Sequence, residues 1–236
     1  ILKRIGNVSW HESIQKIHED QKSDINSKYY KRLAYDEILA NLLVLSQVRK
    51  RIKKLKKEKK IFDDKYSKKI INNFNFKLTK NQEKIINEIS KDLRSETKMF
   101  RLLQGDVGSG KTIISLISAA NVINSRWQVA LMAPTEILAK QHYDLAVKVF
   151  KGSDVSIKLL TSKIDVREKK EIYDDLQNGN INFIIGTHSL FQKKINFKNL
   201  GLVIIDEQHK FGVKQRLDLS SKGGKNCDLL LMSATP

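Results

Sequence analysis

Six short apolar runs recur after residue 98, at 99–104 (MFRLLQ), 129–133 (VALMA), 155–160 (VSIKLL), 181–186 (INFIIG), 202–206 (LVIID) and 228–233 (DLLLMS). Runs this short and this continuously apolar suit strands buried on both faces, because a strand with one wet face alternates instead. Between them lie KTIISLISAANVI, TEILAKQHYDLAVKVF and REKKEIYDDLQN, whose apolar residues recur at helical spacing. Strand and helix in alternation require crossover connections, hence an α/β fold with a mainly parallel sheet flanked by helices. A further helix after Thr79 (NQEKIINEISKDL) leads into the first strand.

The preceding residues have another texture. SWHESIQKIHE (9–19) and residues 29–60 read as helices, the second because Leu33, Ile38, Leu42, Leu45, Val48, Ile52 and Leu55 recur mostly at steps of three and four. The polar stretch IFDDKYSKKIINNFN then reads as a linker. The chain is therefore expected to divide near residue 75, into a helical connector region (1–75) and an α/β domain (76–236). A length of 236 residues fits one full domain plus an extension.

Net charge is +18, which points toward polyanions through counterion release, although 35 of the 44 basic residues are Lys and a general Lys bias accounts for part of it. Arg49 to Lys60 holds nine basic residues and one acid, Glu58. Two readings stay open for this run: the solvated C-terminal end of a long amphipathic helix, where cations suit the dipole, or a phosphate contact. A single cysteine, Cys227, excludes an internal disulfide framework and a Cys-based zinc site. No window approaches the roughly 18 apolar residues of a membrane helix, and ILKRIGNVSW lacks the layout of a signal peptide, so a cytoplasmic protein is expected. Ile1 in place of an initiator Met, and the abrupt stop after Ser233-Ala234-Thr235-Pro236, suggest a piece of a longer chain.

Directly after the first apolar run stands Gly105-Asp106-Val107-Gly108-Ser109-Gly110-Lys111-Thr112, which matches G-x-x-x-x-G-K-[ST]. A chain of this composition would carry about 0.008 such matches by chance, so the pattern is informative before its context is considered. The context, strand before and helix after, is the one a phosphate loop needs. Glycines let the backbone wrap a phosphate, and the helix N-terminus supplies free N–H groups and positive dipole. Lys111 would reach the β- and γ-phosphates of ATP, and Thr112 would ligate Mg²⁺. The bland alternative is a glycine turn beside a solvated lysine.

Such a loop needs a carboxylate on the metal side. Leu202-Val203-Ile204-Ile205 lift Asp206 and Glu207 to the C-terminal edge of the sheet, where ligands bind in open α/β folds. Asp206 suits the metal, and Glu207 suits orienting and deprotonating an attacking water, since adjacent strand residues diverge.

Taken in order, Phe76-x-Leu78-Thr79-x-x-Gln82, GDVGSGKT, Met132-Ala133-Pro134-Thr135-Glu136, Gly186-Thr187-His188, Asp206-Glu207-Gln208-His209 and Ser233-Ala234-Thr235 resemble the motifs of superfamily 2 helicases, whose motor lobes are RecA-like. The finer spelling LLQGDVGSGKT, ALMAPTEILAKQH and VIIDEQHKFGVKQR resembles the RecG family of bacterial ATP-dependent DNA helicases, which remodel stalled forks and branched DNA. Residues 76–236 carry the resemblance strongly, and RLAYDEILANLLVLSQVRKR more weakly. Transcription-repair coupling factors share GDVG and GTH but have DEEH, so Gln208 favours the RecG spelling.

The resemblance implies ATP and Mg²⁺ as cofactors and branched or forked duplex DNA as partner, in DNA repair and recombination at the bacterial nucleoid. It implies that Gln82 reads the adenine edge with Phe76 near the base, and that Thr79 orders that segment. It assigns nucleotide contact to Gly105, Asp106, Val107, Gly108, Ser109, Gly110, Lys111 and Thr112, with Lys111, Asp206, Glu207 and His209 in the catalytic set. A DNA-tracking surface would fall on Pro134, Thr135, Glu136, Thr187 and His188, and Gln208, Ser233 and Thr235 would couple nucleotide to DNA. For His188 and His209 the alternative is a hydrogen-bonded interior histidine, and neither has the companions of a metal site. Trp10 and Trp127 read as packing residues. Lys210 departs from the Arg common in the family, keeping charge without bidentate geometry. A second RecA-like lobe with an arginine finger and an N-terminal wedge domain are further implied partners. A finger contributes about 10³ to 10⁵ in rate, so residues 1–236 alone are expected to hydrolyse ATP hardly at all. The competing readings are a coupling-factor-like duplex DNA translocase and a regulatory P-loop switch.

Overall fold

The computed structural model describes residues 8–19, 26–54, 56–74, 76–192, 194–207 and 222–234. Among these residues, seven α-helices and six strands are ordered α1 (Trp10–Glu19), α2 (Lys28–Lys54), α3 (Asp64–Asn72), α4 (Lys80–Leu93), β1 (Phe100–Gln104), α5 (Lys111–Asn124), β2 (Gln128–Met132), α6 (Glu136–Val149), β3 (Ile157–Leu160), α7 (Val166–Asn178), β4 (Phe183–Gly186), β5 (Leu200–Ile205) and β6 (Asp228–Ser233). All six expected strands form one sheet in the order β1-β6-β5-β2-β4-β3, and every neighbouring pair is parallel.

Continuous apolar runs became strands because both faces are covered. Along β2, Val129 and Leu131 enter one core layer with Leu116, Ile117 and Ala120 of α5, while Ala130 and Met132 enter the other with Ile172 and Leu176 of α7. Helix α5 is nearly apolar all round, and ten of its residues are buried. Cys227 lies inside the second layer, where burial pushes its thiol up to about 12, so it is an inert packing residue. Trp127 packs as expected, with the Lys60 ammonium 5.4 Å from its ring centroid, whereas Trp10 is 55% exposed.

The chain divides between Arg51 and Ile52 rather than near residue 75. The first unit holds α1 and nearly all of α2. In the second unit, the stretch expected to be a linker is α3. Asp63 caps it by accepting from the Lys65 N–H, and Ile70 and Phe74 join the core layer of α4 and α5. The sequence carried this signal, an Asp cap followed by Tyr66, Ile70 and Phe74 at helical spacing, beneath a polar average.

Nor does the long helix run to residue 60. It stops at Lys54, and Lys56 bridges Thr97 in antiparallel fashion, with Lys57 N–H donating to Glu96 O (2.8 Å) and Lys60 N–H to Leu93 O (3.2 Å). Two side chains of the basic run are thereby buried. Lys57 and Lys60 donate to the same oxygen of Asp228, at 2.6 and 2.7 Å, and the other Asp228 oxygen accepts Met99 N–H at 2.7 Å. Of the two readings of this run, neither a solvated face nor a phosphate contact describes Lys57 and Lys60; they clamp the start of β6.

Candidate active site

In an all-parallel sheet every strand ends on the same rim, so the loop after β1 and the acids after β5 share one rim, with only β6 between them. The Gly105 N–H donates to Ser233 O at the end of β6 (3.4 Å), which fastens the start of the phosphate loop to the middle strand. Gly108 (φ 82°) and Gly110 (φ 88°) take left-handed conformations that side chains disfavour, and Gly110 caps α5 without any side-chain acceptor. The Lys111 ammonium folds back on the loop, donating to Gly105 O (2.6 Å) and Asp106 O (2.8 Å). Val107 at the loop tip is 90% exposed.

Gln82 joins this loop to α4. Its amide oxygen accepts the Thr79 N–H (2.9 Å) and Thr79 Oγ1 accepts the Gln82 N–H (3.3 Å), completing a capping box, while its amide nitrogen donates to Ser109 O (3.0 Å). A β-carbon on Gly110 would collide with that same amide. Thr79→Ala should cost about 1 kcal/mol through the lost cap, read as a lower unfolding midpoint. A cavity of about 370 Å³ lies here, lined by Thr79, Gln82, Ile85, Gln104, Gly105 and Lys111 among others. Phe76 does not line it; its ring sits 5.5 Å from Phe74 in the neighbouring groove between α3 and α4.

Across β6 from the loop, β5 ends at Ile205, so both acids lie beyond the strand. Strand alternation therefore does not separate them. A turn does, with Glu207 at φ 48°, a left-handed conformation unusual for a side chain, and its N–H donating to Asp206 Oδ1 (2.9 Å). Asp206 is 8% exposed; its N–H donates to Met132 O (2.8 Å) and its Oδ2 accepts from His142 Nε2 at 2.7 Å. His142 was not singled out from sequence. It lies on the buried face of α6 with Ala139, Ala146 and Val149, and a titratable residue at helical spacing among apolar ones was the available signal.

The donor set at the loop, glycine backbone and a lysine ammonium at an uncapped helix N-terminus, suits a polyanion, and the hydroxyl of Thr112 with the Asp206 carboxylate suits a hard cation. The remaining expected residues are distributed around the same rim. Pro134 is half-buried, and Thr135 is exposed and accepts the Leu138 N–H (3.3 Å) at the start of α6. Glu136 is turned to β3, accepting the Ser162 N–H (3.0 Å) and hydroxyl, and the hydroxyl above all holds its carboxyl below the usual range. Thr187 is buried with Oγ1 3.5 Å from Ser189 Oγ, and His188 is exposed after β4, not an interior histidine. Ser233 is buried at the end of β6. Gln208, His209, Lys210 and Thr235 lie outside the described residues.

The family model of DEAD/DEAH box helicases matches residues 79–236. This chain belongs to the DEAD/DEAH box helicase family. Similar proteins include the ATP-dependent DNA helicase RecG of Aquifex aeolicus, 45% identical over 94% of this chain and 29% of that protein, and RecG of Borreliella burgdorferi, 40% identical over 100% of this chain and 34% of that protein. Among solved structures, RecG bound to a three-way DNA junction is 42% identical, with a TM-score of 0.76 over 89% of this chain and 28% of that one. The chain thus spans about a third of the length of the relatives it matches. The DEAD-box helicase Mss116, at 23% identity and a TM-score of 0.57, shares the fold. Among the described residues, no helix is long and apolar enough to cross a membrane.

Proposed function

We propose that this chain is the ATP-binding motor lobe of a DNA helicase that remodels branched or forked duplex DNA in repair and recombination, in the bacterial cytoplasm. The observation that carries the proposal is the shared rim: phosphate loop after β1, Asp206 and Glu207 after β5, and β6 tying them together through Ser233. Bound Mg²⁺–ATP supplies the free energy of phosphoryl transfer to water. Gly105 to Gly110 offer backbone N–H groups to the phosphates, and Lys111 exchanges its present carbonyl partners for phosphate oxygens. Thr112 and Asp206 would hold the metal. Glu207, set apart from Asp206 by its left-handed turn, orients the attacking water and takes its proton. Gln82 reads the adenine edge from α4, while Phe76, packed against Phe74, stays outside the cavity that would take the base, and His209 completes the catalytic set.

DNA backbone contact falls to the loops after β2 and β4, where Thr135 and His188 are exposed, with Pro134 and Thr187 shaping them. Glu136 braces the α6 start against β3 rather than facing phosphate. Gln208, Ser233 and Thr235 couple nucleotide to DNA and to a second RecA-like lobe, with a wedge domain elsewhere in the full-length protein splitting the junction. The test is ATP turnover by the full-length protein: forked or four-way DNA should stimulate it strongly. Stimulation by a protein partner alone, with DNA inert, would replace the motor by a P-loop switch.

A further inference from the structure

The Asp206 carboxylate is held from two sides, by the Glu207 N–H on Oδ1 (2.9 Å) and by His142 Nε2 on Oδ2 (2.7 Å). An ionised carboxylate only accepts, so His142 Nε2 carries the proton and donates. Only 6% of His142 is exposed, and it projects from α6 seven residues after Thr135, about 10 Å along the helix axis. The helix that begins at the rim loop after β2 therefore ends its second turn on the carboxylate after β5. Among the described residues no other side chain donates to Asp206.

We propose that His142 is a positioning residue for the magnesium site: its Nε2–H fixes the rotamer of Asp206 and makes α6 the mechanical link between the loop at Pro134–Glu136 and the metal. This rests on the nucleotide-site reading above. A donor behind a metal-binding group fixes its direction, and loss of such a partner typically lowers metal affinity about 10- to 100-fold. Linkage is reciprocal, so a ligand of the α6 start whose affinity depends on bound Mg²⁺ shifts Mg²⁺ affinity by the same factor.

The experiment titrates Mg²⁺ into full-length protein with a fluorescent ATP analogue, following nucleotide binding rather than turnover. His142→Ala should weaken the Mg²⁺ dependence by about 10-fold or more while leaving Mg²⁺-free nucleotide affinity unchanged. His142→Gln, which keeps an N–H donor at similar reach, should restore most of the loss. Mg²⁺ dependence unchanged in the alanine variant, or a glutamine variant as impaired as alanine, overturns the proposal. Where His142→Ala fails to fold, judged by its thermal transition, His142→Gln against His142→Leu gives the same decision, since both fill the space and only one donates. Wild-type protein showing no Mg²⁺-dependent nucleotide binding overturns the nucleotide-site reading itself; normal wild-type binding with indifferent His142 variants overturns this inference alone.

Discussion

Glu207→Gln in the full-length protein should leave ATP binding within a few-fold of normal and lower turnover by about 10² to 10⁴, the contribution of a positioned general base. The amide keeps the size and the left-handed turn but cannot take the proton from water. Lys111→Ala should do something different, losing nucleotide affinity together with turnover. The ammonium already sits between two loop carbonyls, Gly105 O and Asp106 O, at the mouth of the uncapped α5. Its removal deletes the one flexible cation in the loop, and the loss of one such electrostatic contact costs on the order of 10² to 10³ in rate. Equilibrium binding and single-turnover hydrolysis, measured side by side, separate the two variants. If Glu207→Gln loses affinity with chemistry intact, the assigned roles are reversed; if Lys111→Ala keeps full activity, the phosphate loop is not one.

Asp228→Asn should destabilise the sheet unit by about 3 to 5 kcal/mol, because it leaves two buried ammonium groups facing a neutral amide. The side chains of Lys57, Lys60 and Asp228 are fully buried, and one carboxylate oxygen serves both lysines. Against a total stability of about 5 to 15 kcal/mol this is a large fraction, equivalent to roughly 6 to 20 °C in Tm for a domain of this size. Replacing all three together by Met, Met and Leu should cost far less, since the penalty comes from unpaired charge rather than lost attraction. Burial pushes the Lys57 ammonium below its ordinary 10.5, against the pull of Asp228. The sign follows: between the lowered folded value and 10.5 the unfolded chain binds more protons, so stability rises with pH there and is flat below. Lys57→Met should remove that rise, and denaturant melts across pH 8 to about 11 would show it. Equal stability of Asp228→Asn and wild type would mean that the clamp is not closed in solution.

The sheet was legible because its signal is repetitive: six apolar runs at buried-strand length, which suit a parallel sheet covered on both faces. The tight strand-to-helix turn at 105–111 was legible because its glycines act through backbone geometry that the spacing itself encodes. What escaped depends on tertiary pairing. Lys57 and Lys60 sit inside a run of nine cations, and nothing local distinguishes the two that meet Asp228, some 170 residues on, from the rest. Helix α3 was hidden by its lysines, which stay outside while Ile70 and Phe74 turn in. Strand alternation, expected to divide Asp206 from Glu207, does not act on them, since both lie beyond β5 and Glu207 stands in a turn at φ 48°. His142 needed the neighbouring strand end in view before it meant anything.

The placement of β6 also governs how the molecule is assembled. Among the described residues β1 pairs only with β6, far downstream in sequence, with Phe100 opposite Leu229 and Gln104 opposite Ser233. As the polypeptide leaves the ribosome, β2, β4, β3 and β5 can already zip into a four-stranded block, yet β1, which leads into the loop at 105–111, lacks its strand partner until the segment 228–233 emerges. Pairing of β1 waits for contacts that span some 129 residues, as in the Met99 to Asp228 bond, so β1 joins the sheet after the four-stranded block can form.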